Sequence, residues 1–169
     1  MAITFESLVR QTRKAPVPGK LLCLDPGETT GVAIFHGLKL HKALQVPTSS
    51  IIPGINLMHT LITKVRPAII VCEDYRVYPN KMDTHTMSSL FTPRLIGAIE
   101  TIAYLNGQIP LFKEMAADPK QFVTNDKLQQ WGMWQGHKLR HAHDAIRHGC
   151  YYLLFKELLA DADREKYSN

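Results

Sequence analysis

The chain has 169 residues, 45% hydrophobic and 21% charged, a length and composition that fit one ordinary domain whose core needs neither disulfides nor a structural metal. No apolar run approaches the roughly 20 residues that span a bilayer, and three cysteines without paired spacing point to a reduced, cytoplasmic protein rather than a disulfide scaffold or a cysteine-held zinc. The formal net charge of +5 permits an anionic polymer as partner but does not by itself assign one.

In chain order, residues 1–19 read as a flexible arm, because Ala15-Pro16-Val17-Pro18-Gly19 breaks any helix before the first strand. The same stretch lacks the apolar centre of a secretory signal. Strands are predicted over 20–25 and 31–36, joined by a Pro26-Gly27 turn, and a third over 39–46 completes a meander. Ile51 to Val65 carries Ile55, Met58, Leu61, Ile62 and Val65 at helical spacing. Ala68-Ile69-Ile70-Val71-Cys72-Glu73 is a continuous apolar run ending on a carboxylate. Such a run suits a central strand parallel to an earlier one.

A polar loop then leads to a long helix over 84–106, which Pro93 should bend or split. Residues 108–113 form a short fifth strand. Pro119 opens a short helix with Asp118 as its cap. Residues 131–137 read as loop, a final helix runs over about 138–160, and the polar tail 161–169 is expected to fray. The order predicts one α/β domain over 20–160: a five-stranded mixed sheet, three antiparallel meander strands plus two parallel ones, flanked by helices.

Two of these strands stop on acids, Asp25 and Glu73. A lone strand-end acid is ordinarily a cap or a solvated loop residue. If the two strands are adjacent and parallel, however, both carboxylates meet at the carboxyl end of the sheet, where open α/β sheets bind ligands. His141 and Asp144, three apart on the last helix, share one face of it. Such a cluster calls for a cation. Mg2+ takes hard oxygen ligands and binds substrate phosphates, and two such ions can activate a water and stabilise the leaving oxygen of a phosphodiester. An imidazole in the set makes Mn2+ a fitting substitute. Asp74 competes with Glu73, but successive strand side chains point to opposite faces, so the two cannot serve together. Asp83, Asp118 and Asp126 sit in loops or helix starts, where capping explains them. His137, His141, His148 and Asp144 fall near one helical stripe, which makes zinc conceivable; the partner acids fit magnesium better.

The segments CLDPGETTGVAIF, IIVCEDYRV and LRHAHDAIRHGCYYL, in that order, resemble the three motifs of the RuvC-like branch of the RNase H-like nucleases. The likeness spans about 20–160. It implies an RNase H-like fold and a Mg2+-dependent endonuclease with two ions, acting in the cytoplasm, or in the host cytoplasm for a phage protein. Its implied substrate is branched DNA, above all four-way (Holliday) junctions in recombination and repair. Asp25 matches the first-strand aspartate, Glu73 the second-strand glutamate and Asp144 the final-helix aspartate. His141 stands where many members have aspartate and some have histidine, as a metal ligand or an aid to the attacking water. The helix over 84–106 matches the dimer interface of such proteins, and a two-fold enzyme suits a two-fold junction. Nothing in the sequence names a RuvAB-type branch-migration partner.

Tyr75, Arg76, Tyr78 and Lys81 follow Glu73 directly, aromatics beside cations, a composition that suits base stacking and phosphate pairing. ADPKQFVTNDKLQQW resembles the segment whose lysines contact the scissile backbone, which implies Lys120 and, at shortened spacing, Lys127. Arg140 and Arg147 flank the helix residues of the site, and Thr29 and Thr30 offer hydroxyls near the same phosphate path. Each of these ten is equally compatible with an ordinary packed or solvated side chain. Two other classes compete. DPGETTG resembles the phosphate loop of actin-like ATPases and sugar kinases, although the chain has no second such loop. A non-catalytic junction or single-strand DNA binder on the same fold is the other, and the intact acid set stands against it.

Overall fold

The structure, a computed structural model, describes residues 3–75 and 90–166, with 156–166 described by backbone alone. Five strands and six helices follow one another: α1 (Phe5–Thr12), β1 (Lys20–Asp25), β2 (Thr29–His36), β3 (Lys39–Pro47), α2 (Ile51–Val65), β4 (Ile69–Glu73), α3 (Phe91–Leu105), β5 (Leu111–Glu114), α4 (Ala117–Phe122), α5 (Asn125–Gln130) and α6 (Arg140–Lys166). The strand order is β3-β2-β1-β4-β5. β1, β2 and β3 form an antiparallel meander, while β4 pairs parallel with β1 and β5 parallel with β4. This is the mixed five-stranded RNase H-like sheet expected from the sequence.

Between Lys20 and Asp25 β1 is apolar, and β4 is apolar up to Glu73, because helices cover both faces. Side-chain alternation divides them between two cores. Leu21, Cys23, Ala33, Phe35 and Val71 face one layer, where Val123, Leu128, Ala145, Ile146, Cys150 and Leu153 meet them. Leu22, Leu24, Val32, Ile34, Ile70 and Cys72 face the other, against Met58 and Ile62 of α2 and Leu95, Ile99 and Ile102 of α3. Each fully buried aliphatic side chain contributes roughly 1.5–3 kcal/mol by leaving water.

Two expectations need correction. The N-terminal segment contains α1, not an arm alone. Thr4 caps it by accepting from the Ser7 N–H at 3.2 Å, and Phe5 and Val9, one helical turn apart, are buried in the first core. Pro93 does not bend α3 among the described residues, since it lies in the helix's first turn, where no intrahelical N–H bond is lost. Smaller differences lie at element ends. α4 begins at Ala117 with Ala116 in the cap position, so Asp118 lies inside its first turn. α6 continues as helix to Lys166, and β5 reaches Glu114. No helix among the described residues is long and apolar enough to cross a membrane.

The seating of α6 on the sheet depends on two glycines. A Cβ at Gly31 of β2 would collide with the backbone carbonyl of His141, and one at Gly149 of α6 would collide with Phe35 and with Cys23 Sγ. Without these side chains the helix lies close against β1 and β2.

Candidate active site

Asp25 belongs to the same alternating set as Leu21 and Cys23, and Glu73 to that of Val71. Both carboxylates therefore leave the sheet on the side that α6 covers. Leu24 pairs with Cys72, which brings Asp25 and Glu73, one residue further on, to adjacent strand ends. Asp74 falls on the alternate position, and its carboxylate accepts the Tyr75 backbone N–H at 3.0 Å.

From above, α6 contributes His141, Asp144, Arg147 and His148, spaced to share one stripe of the helix. His141 Nδ1 lies 2.8 Å from Asp25 Oδ2. Arg147 donates to Asp144 Oδ1 at 2.5 Å and to the Val123 carbonyl at 2.9 Å, and also bonds Asn125. Lys120 of α4 places its ammonium 3.2 Å from Asp144 Oδ2 and 3.6 Å from Glu73 Oε2. Asp25 and Asp144 are each only 7% exposed, while His141 remains reachable, its side chain 34% exposed.

The electrostatics show the strain of gathering acids in a poorly solvated place. Burial and the neighbouring Glu73 push the Asp25 carboxyl up to about 6, against the opposing hydrogen bond of His141. Burial also works against ionised Glu73, but the hydrogen bond from His148 and the charge of Lys120 outweigh it and hold its pKa below the ordinary value. Burial would lower the Lys120 pKa, yet Glu73 and Asp144 raise it. The cluster thus demands positive charge, and a lysine supplies part of it.

Glu114 is not among the candidates read from the sequence, and His148 figures there only in the zinc stripe. Glu114 ends β5 in register with Glu73, so three neighbouring strands all end on acids at the same edge. His148 is fully buried, with Nδ1 2.9 Å from Glu114 Oε2 and Nε2 3.1 Å from Glu73 Oε2. Burial disfavours its cation, but the two carboxylates overcome this and push its pKa up to about 9. The register of the third strand-end acid was the available signal. It was lost because the predicted strand stopped at Lys113, one residue short.

Several residues expected to reach DNA are occupied elsewhere. Thr30 is fully buried; its hydroxyl shares a hydrogen bond with Thr48 at 2.7 Å and donates to the Gly27 carbonyl, so it braces the Pro26–Glu28 turn. Lys127 donates to the Phe122 carbonyl at 2.7 Å and its ammonium sits over the Phe122 ring at 3.6 Å. Arg147 is spent on Asp144, Val123 and Asn125. Tyr75 is half-buried and packs against the α2–α3 core. Lys120 and the exposed Arg140 do line an open groove of about 550 Å³ beside Asp144, together with Thr124, Asn125 and Arg147. Thr29, partly exposed, opens β2 beside the strand end that carries Asp25. Arg76, Tyr78 and Lys81 lie outside the described residues, as does the start of the helix predicted from 84.

For a metal, the hard oxygens of Asp25, Glu73 and Asp144 are the donors that Mg2+ prefers, and Lys120 already stands as a cation between two of them. Among the described residues no three such side chains converge closely enough to hold an ion in the present arrangement. The zinc stripe does not form either, because both nitrogens of His148 face carboxylates and the His137 ring packs against Trp134.

Neither a scan against protein-family models nor a search of curated proteins finds a match. Solved structures do match. Thermus thermophilus RuvC in complex with a Holliday junction substrate superposes with a TM-score of 0.65 at 14% identity, over 82% of this chain and 95% of that one. The yeast mitochondrial Holliday junction resolvase Ydc2 gives 0.59 at 13% identity, over 93% and 86%. The fowlpox virus Holliday junction resolvase gives 0.55 at 12%, over 79% and 96%. At such identities the likeness establishes a shared RNase H-like fold.

Proposed function

We propose that the chain is a metal-dependent, structure-selective DNA endonuclease that acts on branched DNA, four-way junctions above all. One observation carries this reading: Asp25 and Glu73, distant in sequence, meet at adjacent strand ends, and the ammonium of Lys120 lies between Glu73 and Asp144 of the helix above them. The fold likeness to proteins described as Holliday junction resolvases directs the choice of substrate.

In this reading Asp25, Glu73 and Asp144 hold Mg2+, with His141 beside them, and Mn2+ is the natural substitute. The metal, when bound, supplies Lewis acidity for phosphodiester hydrolysis. The chain's own groups do the rest. His141 is fixed through Nδ1 on Asp25, which leaves Nε2 to take a proton from water. Lys120 and Arg140, which line the open groove beside Asp144, pair with neighbouring backbone phosphates. The burial of Asp25 and Asp144 keeps bulk water from screening these interactions. A homodimer through α3 presents two such sites to a two-fold junction.

The test is a labelled four-way junction incubated with Mg2+, Mn2+ or EDTA. Paired nicks should appear with either metal and vanish with EDTA. Asp25→Asn, Glu73→Gln and Asp144→Asn should each remove several kcal/mol of transition-state stabilisation, about a thousandfold in rate, with junction binding retained. Full activity in any of the three would overturn the site assignment, and cleavage in EDTA would overturn the metal.

A further inference from the structure

We propose that His148 and Glu114 form a buried strut that aims the Glu73 carboxylate, which makes His148 a positioning residue acting through Glu73. The inference rests on the reading above for the role of Glu73, and it adds residues that the acidic motif does not contain.

The geometry is specific. Glu114 ends β5 and Glu73 ends β4, in register on adjacent parallel strands. Two carboxylates so placed repel each other, and nothing about a strand end fixes the rotamer of a glutamate. The imidazole of His148 enters between them from α6, one helical turn beyond Asp144, and meets one carboxylate with each nitrogen, at 2.9 Å and 3.1 Å. A rigid planar ring, buried on α6 and meeting a carboxylate at each nitrogen, has no room to turn, so it ties Glu73 to α6 and to the buried Glu114. Glu114 is 5% exposed and His148 is fully buried, whereas the Glu73 side chain is 23% exposed. The chain of contacts thus runs from the interior outward and ends at the group that faces the site.

The same placement rules out two other roles for His148. Both nitrogens are engaged, so it offers no lone pair to a metal, and a side chain without solvent exposure cannot touch DNA. What remains is orientation, the task that carboxylate–histidine pairs behind a metal ligand perform when they fix its direction.

The experiment combines metal affinity, measured without DNA, with crystallography of the metal-free protein. His148→Gln should weaken Mn2+ binding about tenfold, the lower end of what loss of an outer partner costs, and Glu114→Ala should do the same. Glu114→Gln keeps an acceptor for Nδ1 and should retain most of the affinity. In a Glu73→Gln background neither change at 148 nor at 114 should lower affinity further, because their effect passes through Glu73. In metal-free crystals of His148→Gln the Glu73 carboxylate should leave its position while the β4 backbone stays.

Wild-type affinity in His148→Gln, an equal loss in the Glu73→Gln background, or an unmoved Glu73 carboxylate would overturn the strut. Should His148→Gln fail to fold, Glu114→Ala carries the same measurements. A protein that binds Mn2+ but cuts no branched DNA removes the nuclease reading, and the strut is still judged by affinity and coordinates. If the wild type binds no Mn2+, the position of Glu73 in the crystals decides it.

Discussion

At Arg147 the choice between a DNA contact and an internal clamp has measurable consequences. Its guanidinium serves three acceptors on three segments: the Asp144 carboxylate on α6, the Val123 carbonyl after α4, and Asn125 at the start of α5. A planar fork with five donors can do this, and a lysine ammonium on a flexible stem cannot reproduce it. Arg147→Lys is therefore expected to cost about 1.5–3 kcal/mol of stability, the worth of charge-assisted hydrogen bonds left unmade. Cleavage should fall about tenfold as Asp144 loses its orientation. Junction affinity and its salt dependence should stay as in the wild type. Lower affinity with a shallower salt slope would identify Arg147 as a phosphate contact instead. Denaturant titration and binding at several salt concentrations separate the two. Asp25, Glu73 and Asp144 were legible in the sequence because a carboxylate that ends an apolar strand, or that recurs on a helix face, is an anomaly with few explanations. Thr30, Lys127 and Arg147 were not, because a polar side chain spells the same whether its donors face water or bind the fold's own carbonyls.

At the level of elements, the site exists only because α6 lies low on β1 and β2. Gly31 is where the helix backbone comes closest to the sheet, and a Cβ there would strike the His141 carbonyl and approach the Ala142 N–H at 3.0 Å. Backbone cannot swing aside as a side chain can, so α6 must lift. Gly31→Ala should destabilise the protein by about 1–3 kcal/mol, as overpacking does. The larger effect should be on cleavage, since a shift near 1 Å in His141 and Asp144 relative to Asp25 is worth about a hundredfold. Urea denaturation and single-turnover cleavage of the same preparation test this, and wild-type values for both would show that α6 has room to spare. The meander, α2 and β4 were readable to within two residues, because apolar periodicity and Pro-Gly punctuation are local. The packing of α1 was not. Its short apolar stripe, Phe5, Leu8 and Val9, is followed by the breaker Pro16 and Pro18, and only the core it meets explains why it folds. The strand predicted over 108–113 starts three residues early and stops one short of Glu114, because a strand of four residues carries too little apolar pattern to mark its ends.

For the whole molecule, the two layers differ in what they leave open. The layer of α1, α4, α5 and α6 covers the acidic cluster. The opposite layer, of α2 and α3, leaves Leu90 51%, Tyr104 66% and Leu105 74% exposed at and within α3. Helical spacing sets Leu90, Gly97, Thr101, Tyr104 and Leu105 within one broad face of α3, away from the buried Leu95, Ile99 and Ile102. Large apolar groups held in water are the usual mark of a surface that meets a partner. In the proposed homodimer that partner is a second copy, and a two-fold interface counts every substitution twice. Burying one leucine contributes roughly 1.5–3 kcal/mol, so Leu105→Glu, which removes that burial from both copies and adds two like charges, should raise the dimer dissociation constant at least about a hundredfold. Sedimentation equilibrium should find the wild type dimeric at tens of micromolar and Leu105→Glu monomeric, with unchanged thermal stability of the monomer fold. The cleavage pattern should change with it: a dimer nicks both strands of a four-way junction within one encounter, whereas a monomer leaves singly nicked junctions that accumulate before the second cut. A wild type that sediments as a monomer, or a Leu105→Glu variant that remains dimeric, would remove α3 as the interface while leaving the acidic site to be judged by its own variants.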